Sequence, residues 1–64
     1  MEEKMLAYLQ ERLTNFKKLE KQGYPSEYLE RTLDSLIACK RMVECLIQKP
    51  VNLQKDGKVT VGLE

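Results

Sequence analysis

Histidine is absent from this chain of 64 residues, and only two cysteines, Cys39 and Cys45, are present. Their separation is not the C-x-x-C spacing of a zinc site, so neither a structural metal nor a metal cofactor is expected. In a continuous helix the two thiols point to different faces about two turns apart, too far to bridge each other, and a reduced pair fits a cytosolic protein. There is no Gly-rich phosphate loop, no G-x-S-x-G and no H-E-x-x-H, which removes the usual catalytic equipment. Glu2, Glu3, Glu11, Glu27, Glu30 and Glu44 remain as acid–base candidates, but they read as solvated helix-surface charges with no pocket to shift their pKa. The expectation is a non-enzymatic protein without catalytic residues or cofactors.

No apolar run approaches the roughly 18 residues that cross a bilayer. The opening Met1-Glu2-Glu3-Lys4 lacks the apolar core of a signal peptide, so a cytoplasmic location away from membranes is expected. Blocks of one charge are also missing: 11 basic and 10 acidic residues are interspersed for a net charge of +1, and no strong field points to nucleic acid. The closing Leu63-Glu64 has the character of an expression-vector remnant, with no functional role expected. A chain this short makes one domain at most, here 1–64, and its small core needs a supplement. With disulfides and metals disfavoured, regular helix packing or oligomerisation is left.

What the chain does have is helical periodicity. From Glu2 to about Gln22 the apolar residues Met5, Leu6, Leu9, Leu13, Phe16 and Leu19 make one stripe, while Glu3, Lys4, Glu11, Lys18 and Lys21 take the other side. Glu2 and Glu3 open this helix, Lys17, Lys18 and Lys21 close it, and Gly23 stands where a left-handed cap is wanted. Pro25 and Glu27 then suit a first turn, and the next breaker is Pro50, so a second helix is expected over 25–48. Helices joined by so few residues fold back antiparallel, setting Phe16 beside Leu33, Leu13 beside Leu36, Leu9 near Lys40 and Leu6 beside Val43.

The tail, 51–63, reads as a β-hairpin or extended segment: β-branched residues replace helix formers, and Asp56-Gly57 is a turn signal. A two-residue loop would oppose Leu53 to Thr60 and waste the alternation. A three-residue loop, Lys55-Asp56-Gly57 with Gly57 left-handed, opposes Leu53 to Val59 and Val51 to Val61.

The second helix carries the wider apolar stripe, Leu29, Leu33, Leu36, Val43 and Ile47, with Tyr28, Ile37, Cys39 and Leu46 flanking it. One short neighbour does not cover all of that, so a further partner is expected. The fold expectation is therefore a mainly α helical hairpin that dimerises into a four-helix bundle. The expected function is that of a small protein-binding regulator or inhibitor acting through the second helix and the tail on a larger protein. Its partner-binding residues are Tyr28, Ile37, Cys39, Lys40, Val43, Leu46 and Ile47. Lys40 is the polar intruder in that stripe: either its stem packs and its ammonium reaches water, or it sets register or meets an acidic partner. Two alternatives stand beside this one: a nucleic-acid-associated regulator using Lys17, Lys18, Lys21, Lys55 and Lys58, and a structural assembly piece of a phage or other complex.

Overall fold

The first reversal of the chain is made at Gly23. Its φ of 77° is a conformation that costs a residue with a Cβ but not glycine. The Gly23 N–H donates to the Glu20 carbonyl at 3.1 Å and the Tyr24 N–H to the Leu19 carbonyl at 3.3 Å, the pair of bonds that closes a Schellman-type helix end. In the computed structural model, which describes residues 2–62, this motif separates α1 (Glu2–Lys21) from α2 (Ser26–Ile47). The expected boundaries are met to within a residue at each end. Leu63, assigned to the tail from sequence, lies outside the described residues.

Pro25 precedes α2 with extended backbone and its carbonyl accepts the Leu29 N–H at 3.1 Å. The far end closes differently. Gln48 takes the left-handed conformation (φ 59°, ψ 38°) and its N–H donates to the Glu44 carbonyl at 2.7 Å. Two residues later Pro50 bars any further helical turn.

Two short strands follow, β1 (Val51–Leu53) and β2 (Val59–Val61), paired antiparallel with Val51 opposite Val61 and Leu53 opposite Val59. This is the register of the three-residue loop. The Gln54 N–H donates to the Lys58 carbonyl at 2.8 Å, the Gly57 N–H to the Gln54 carbonyl at 3.0 Å, and Gly57 has φ 89°. At the open end Gly62 N–H donates to the Pro50 carbonyl at 2.8 Å. A Cβ on Gly62 would come within 2.9 Å of the Pro50 ring, so that close approach needs glycine.

The ribbon lies across one face of the helical hairpin, β2 against α1 and β1 against α2. The core is where the three layers meet: Leu9, Leu13 and Phe16 from α1, Leu36, Val43 and Ile47 from α2, and Val51 from β1, with Leu53 and Val59 packed at its edge. Leu9, Leu36 and Val51 are completely or almost completely buried, and each contributes about 1.5–3 kcal/mol relative to an exposed side chain. The tail therefore completes the core within the chain that bears it.

Leu33 departs from expectation. Sequence placed it opposite Phe16 at the centre of the seam, yet it is 39% exposed. The line of α2 that meets α1 runs through Leu36, Val43 and Ile47, and Leu33 and Lys40 sit about 40–60° round the helix from it, on the ribbon side.

Candidate functional site

Two faces of the helical pair differ in what covers them. On the ribbon side, Glu44 of α2 accepts the Val51 N–H at 2.8 Å, and Lys40 lies 3.5 Å from the same carboxylate oxygen. That amide bond holds the Glu44 carboxyl below the usual carboxylate pKa; burial opposes the shift, and the charges of Lys40 and Arg41 assist it. From α1, the Gln10 side-chain oxygen accepts the Val59 N–H at 2.7 Å and its amide nitrogen donates to the Gly57 carbonyl. One side chain from each helix thus occupies one outer edge of the ribbon, where a further strand would otherwise pair. Beside β1 runs an open groove of about 450 Å³, walled by Leu33, Ile37, Lys40 and Arg41 of α2 and by Val51, Asn52 and Leu53.

The opposite face has no such cover. Arg12 of α1 reaches across it, donating from Nη2 to Ser35 Oγ at 2.6 Å and from Nη1 to the Tyr8 hydroxyl at 3.3 Å. Its guanidinium carbon lies 5.7 Å from the Tyr8 ring centre, within the range of a cation–π contact. Steps of seven along α2 from Ser35 reach Tyr28 and Met42, and Cys39 and Leu46 share the same flank. Tyr8 is 51% exposed, Tyr28 48%, Met42 63% and Leu46 61%. Tyr24 extends this surface toward the turn, its ring centre 5.1 Å from that of Tyr28. Both cysteines are free thiols, Cys39 half-buried on this face and Cys45 exposed.

The partner-binding residues expected from sequence do not form one surface. Val43 and Ile47 are core residues, buried between the helices and the ribbon, so in the folded monomer they have no free surface to offer. Ile37 and Lys40 face the ribbon groove. Tyr28, Cys39 and Leu46 lie on the open face, which also holds Tyr8, Arg12, Ser35 and Met42. Lys40 is paired with Glu44 and its side chain is 30% exposed, the arrangement of a packed stem with a solvent-reaching ammonium. Glu44 itself, read from sequence as a solvated charge, is a structural acceptor.

Of the basic residues of α1, Lys17 meets the ribbon turn. The ribbon turn packs at Lys17, whose Cγ lies 3.9 Å from the position a Gly57 Cβ would take, and Lys17 is also 3.6 Å from Glu20. Among the described residues, no helix is long and apolar enough to cross a membrane. Comparison of the chain with protein-family models, with curated proteins and with solved structures finds no match.

Proposed function

We propose that this chain is a protein-binding module whose working surface is the open helical face, and that it regulates a larger protein by occupying part of that protein's surface. The observation that carries this reading is the exposure of Tyr8, Tyr28, Met42 and Leu46 on one face, while on the other face, where the ribbon packs, Leu33 is the exposed large apolar side chain. Exposed apolar groups with tyrosine and arginine among them are the composition of interaction surfaces. Nothing in this reading requires chemistry. Steric occupation is what a rigid two-helix surface supplies, and the ribbon's part is to hold the two helices in register.

Site-specific photocrosslinking tests it. A benzophenone side chain at position 42 or 46 is expected to give a discrete adduct in the source cell, and the same group at Asn52 on the ribbon side is expected to give none. Adducts formed from the ribbon side alone would assign the function to the groove and reject the open face.

A second reading is favoured by one observation, the packing of the ribbon turn at Lys17, which gathers Lys55 and Lys58 toward the basic end of α1. A nucleic-acid partner held there would bind with an affinity that falls steeply as salt rises. A flat salt response, or no binding to duplex DNA or RNA at low salt, removes it.

A further inference from the structure

Arg12 bridges the two helices of the open face, and its bonding is unfinished. It is partly withdrawn from water, its two intramolecular acceptors, Ser35 Oγ and the Tyr8 hydroxyl, are neutral, and its Nε is buried with no partner. Among the described residues the ion pairs are Lys17–Glu20 and Lys40–Glu44, so no carboxylate answers this guanidinium. Arginine presents a planar fork that a carboxylate fills with two parallel bonds, and such bonds are roughly twice as strong as those between neutral groups.

Resting on the reading of the open face as a binding surface, we infer that its occupant is an amphipathic helix of another protein, carrying one Asp or Glu among apolar residues. The helix lies along the furrow between α1 and α2 with that carboxylate on Arg12. The shape comes from the spacing of Ser35, Cys39, Met42 and Leu46, whose alternating steps of four and three are the seam into which a second helix packs. The charge comes from Arg12. The Arg12 guanidinium, held between Tyr8 and Ser35, calls for an anionic group at the centre of an otherwise apolar ligand, while the exposed Arg31 stands at the outer rim of the same face.

A second copy of this chain answers the charge poorly. Met5, Tyr8, Asn15 and Leu19 on the Arg12 side of α1 and the α2 seam include no Asp or Glu, and the nearest carboxylate, Glu11, stands outside them on the outer rim of α1. Two open faces brought together would oppose arginine to arginine around the two-fold axis without a carboxylate between them.

The test is selection from a display library of amphipathic helices about five turns long, with a fixed apolar seam and one randomised central position, on the full chain. Asp or Glu is expected to be enriched at that position. A synthetic Glu peptide is expected to bind about tenfold or more tightly than its Gln counterpart. Arg12→Met and Arg12→Gln, each first checked for an unchanged thermal transition, are expected to erase that difference, and Met42→Glu to abolish binding of both peptides. Binders that show no acidic preference, or that hold equally well to the Arg12 variants while losing affinity with Met42→Glu, overturn the carboxylate partner and leave the open face standing. Failure to recover any binder sensitive to Met42→Glu overturns both. A dimer in sedimentation that Met42→Glu dissolves would give the face to a second copy.

Discussion

Gln10 and Val59 stand 49 positions apart in sequence, and the side-chain oxygen of the first accepts the backbone N–H of the second at 2.7 Å. The nitrogen of the same amide donates to the Gly57 carbonyl, so Gln10 satisfies the outer edge of β2 as a neighbouring strand would. An isolated two-stranded ribbon is marginal in water, and this anchor, with Glu44 on the other edge, fixes it to the helices. Gln10→Ala is expected to cost about 1–2 kcal/mol in a denaturant titration and to speed hydrogen exchange at the Val59 amide well above that of the core amides of α2. An unchanged Val59 exchange rate would show that the anchor contributes nothing.

Glu44 makes the ribbon sensitive to acid. Its folded pKa lies below the ordinary value of 4.5, because the Val51 amide favours the ionised carboxylate. A group depressed on folding contributes stability that is fully present above its unfolded pKa. That contribution is lost as pH falls through the folded value, when the unfolded chain takes up the proton more readily. Thermal midpoints followed from neutral pH to about pH 3 are therefore expected to decline less steeply for Glu44→Gln than for the parent chain. Parallel curves would exclude this carboxylate from the acid response.

Gln48 is the one non-glycine residue with positive φ among those described. A side chain in this conformation is strained, by roughly 1–2 kcal/mol for residues without local compensation, whereas glycine adopts it freely at the expense of some unfolded-state entropy. Gln48→Gly is expected to raise stability by about 0.5–1 kcal/mol, read as a higher denaturant midpoint with an unaltered slope. A decrease would mean that the glutamine side chain holds the cap by contacts of its own.

Local signals made the elements legible. Gly23 and Pro25 delimit the helices, Pro50 ends the second, and the alternation of Val51, Leu53, Val59 and Val61 fixed the loop length and the pairing. Long-range placement was harder to read. A heptad list cannot say which flank of α2 the ribbon will cover, so Ile37, Lys40 and the open-face residues Tyr28, Cys39 and Leu46 looked alike. From sequence alone Val43 and Ile47 read as partner-binding, because the roof over them, Val51, comes from a segment whose docking depends on two polar side chains. Gln10 gave no signal at all: a glutamine on a helix flank is ordinary until the strand edge it serves is in place. Arg12 could have been found by stepping four residues on from Tyr8 or seven back from Leu19, where it is the cation on the outer edge of an apolar stripe.

The apolar stripe of α2 can be completed by the chain's own tail or by another copy, and Val51 separates the two. Its side chain is fully buried at the junction of both helices and the ribbon. Val51→Ala removes two methyl groups and leaves a cavity, a loss of about 2 kcal/mol. That is a large share of the total for a domain with stability of roughly 0.05–0.15 kcal/mol per residue. Removing everything after Lys49 strips the roof entirely, so the remaining helices are expected to lose their cooperative transition and to aggregate through Leu36, Val43 and Ile47. The full chain, closed by its own tail, is expected to melt at the same temperature over about two decades of protein concentration, because no mass-action term enters when the core is completed within one molecule. A midpoint that climbs with concentration, together with a shortened chain that still melts cooperatively, would assign the completion of the fold to a second subunit.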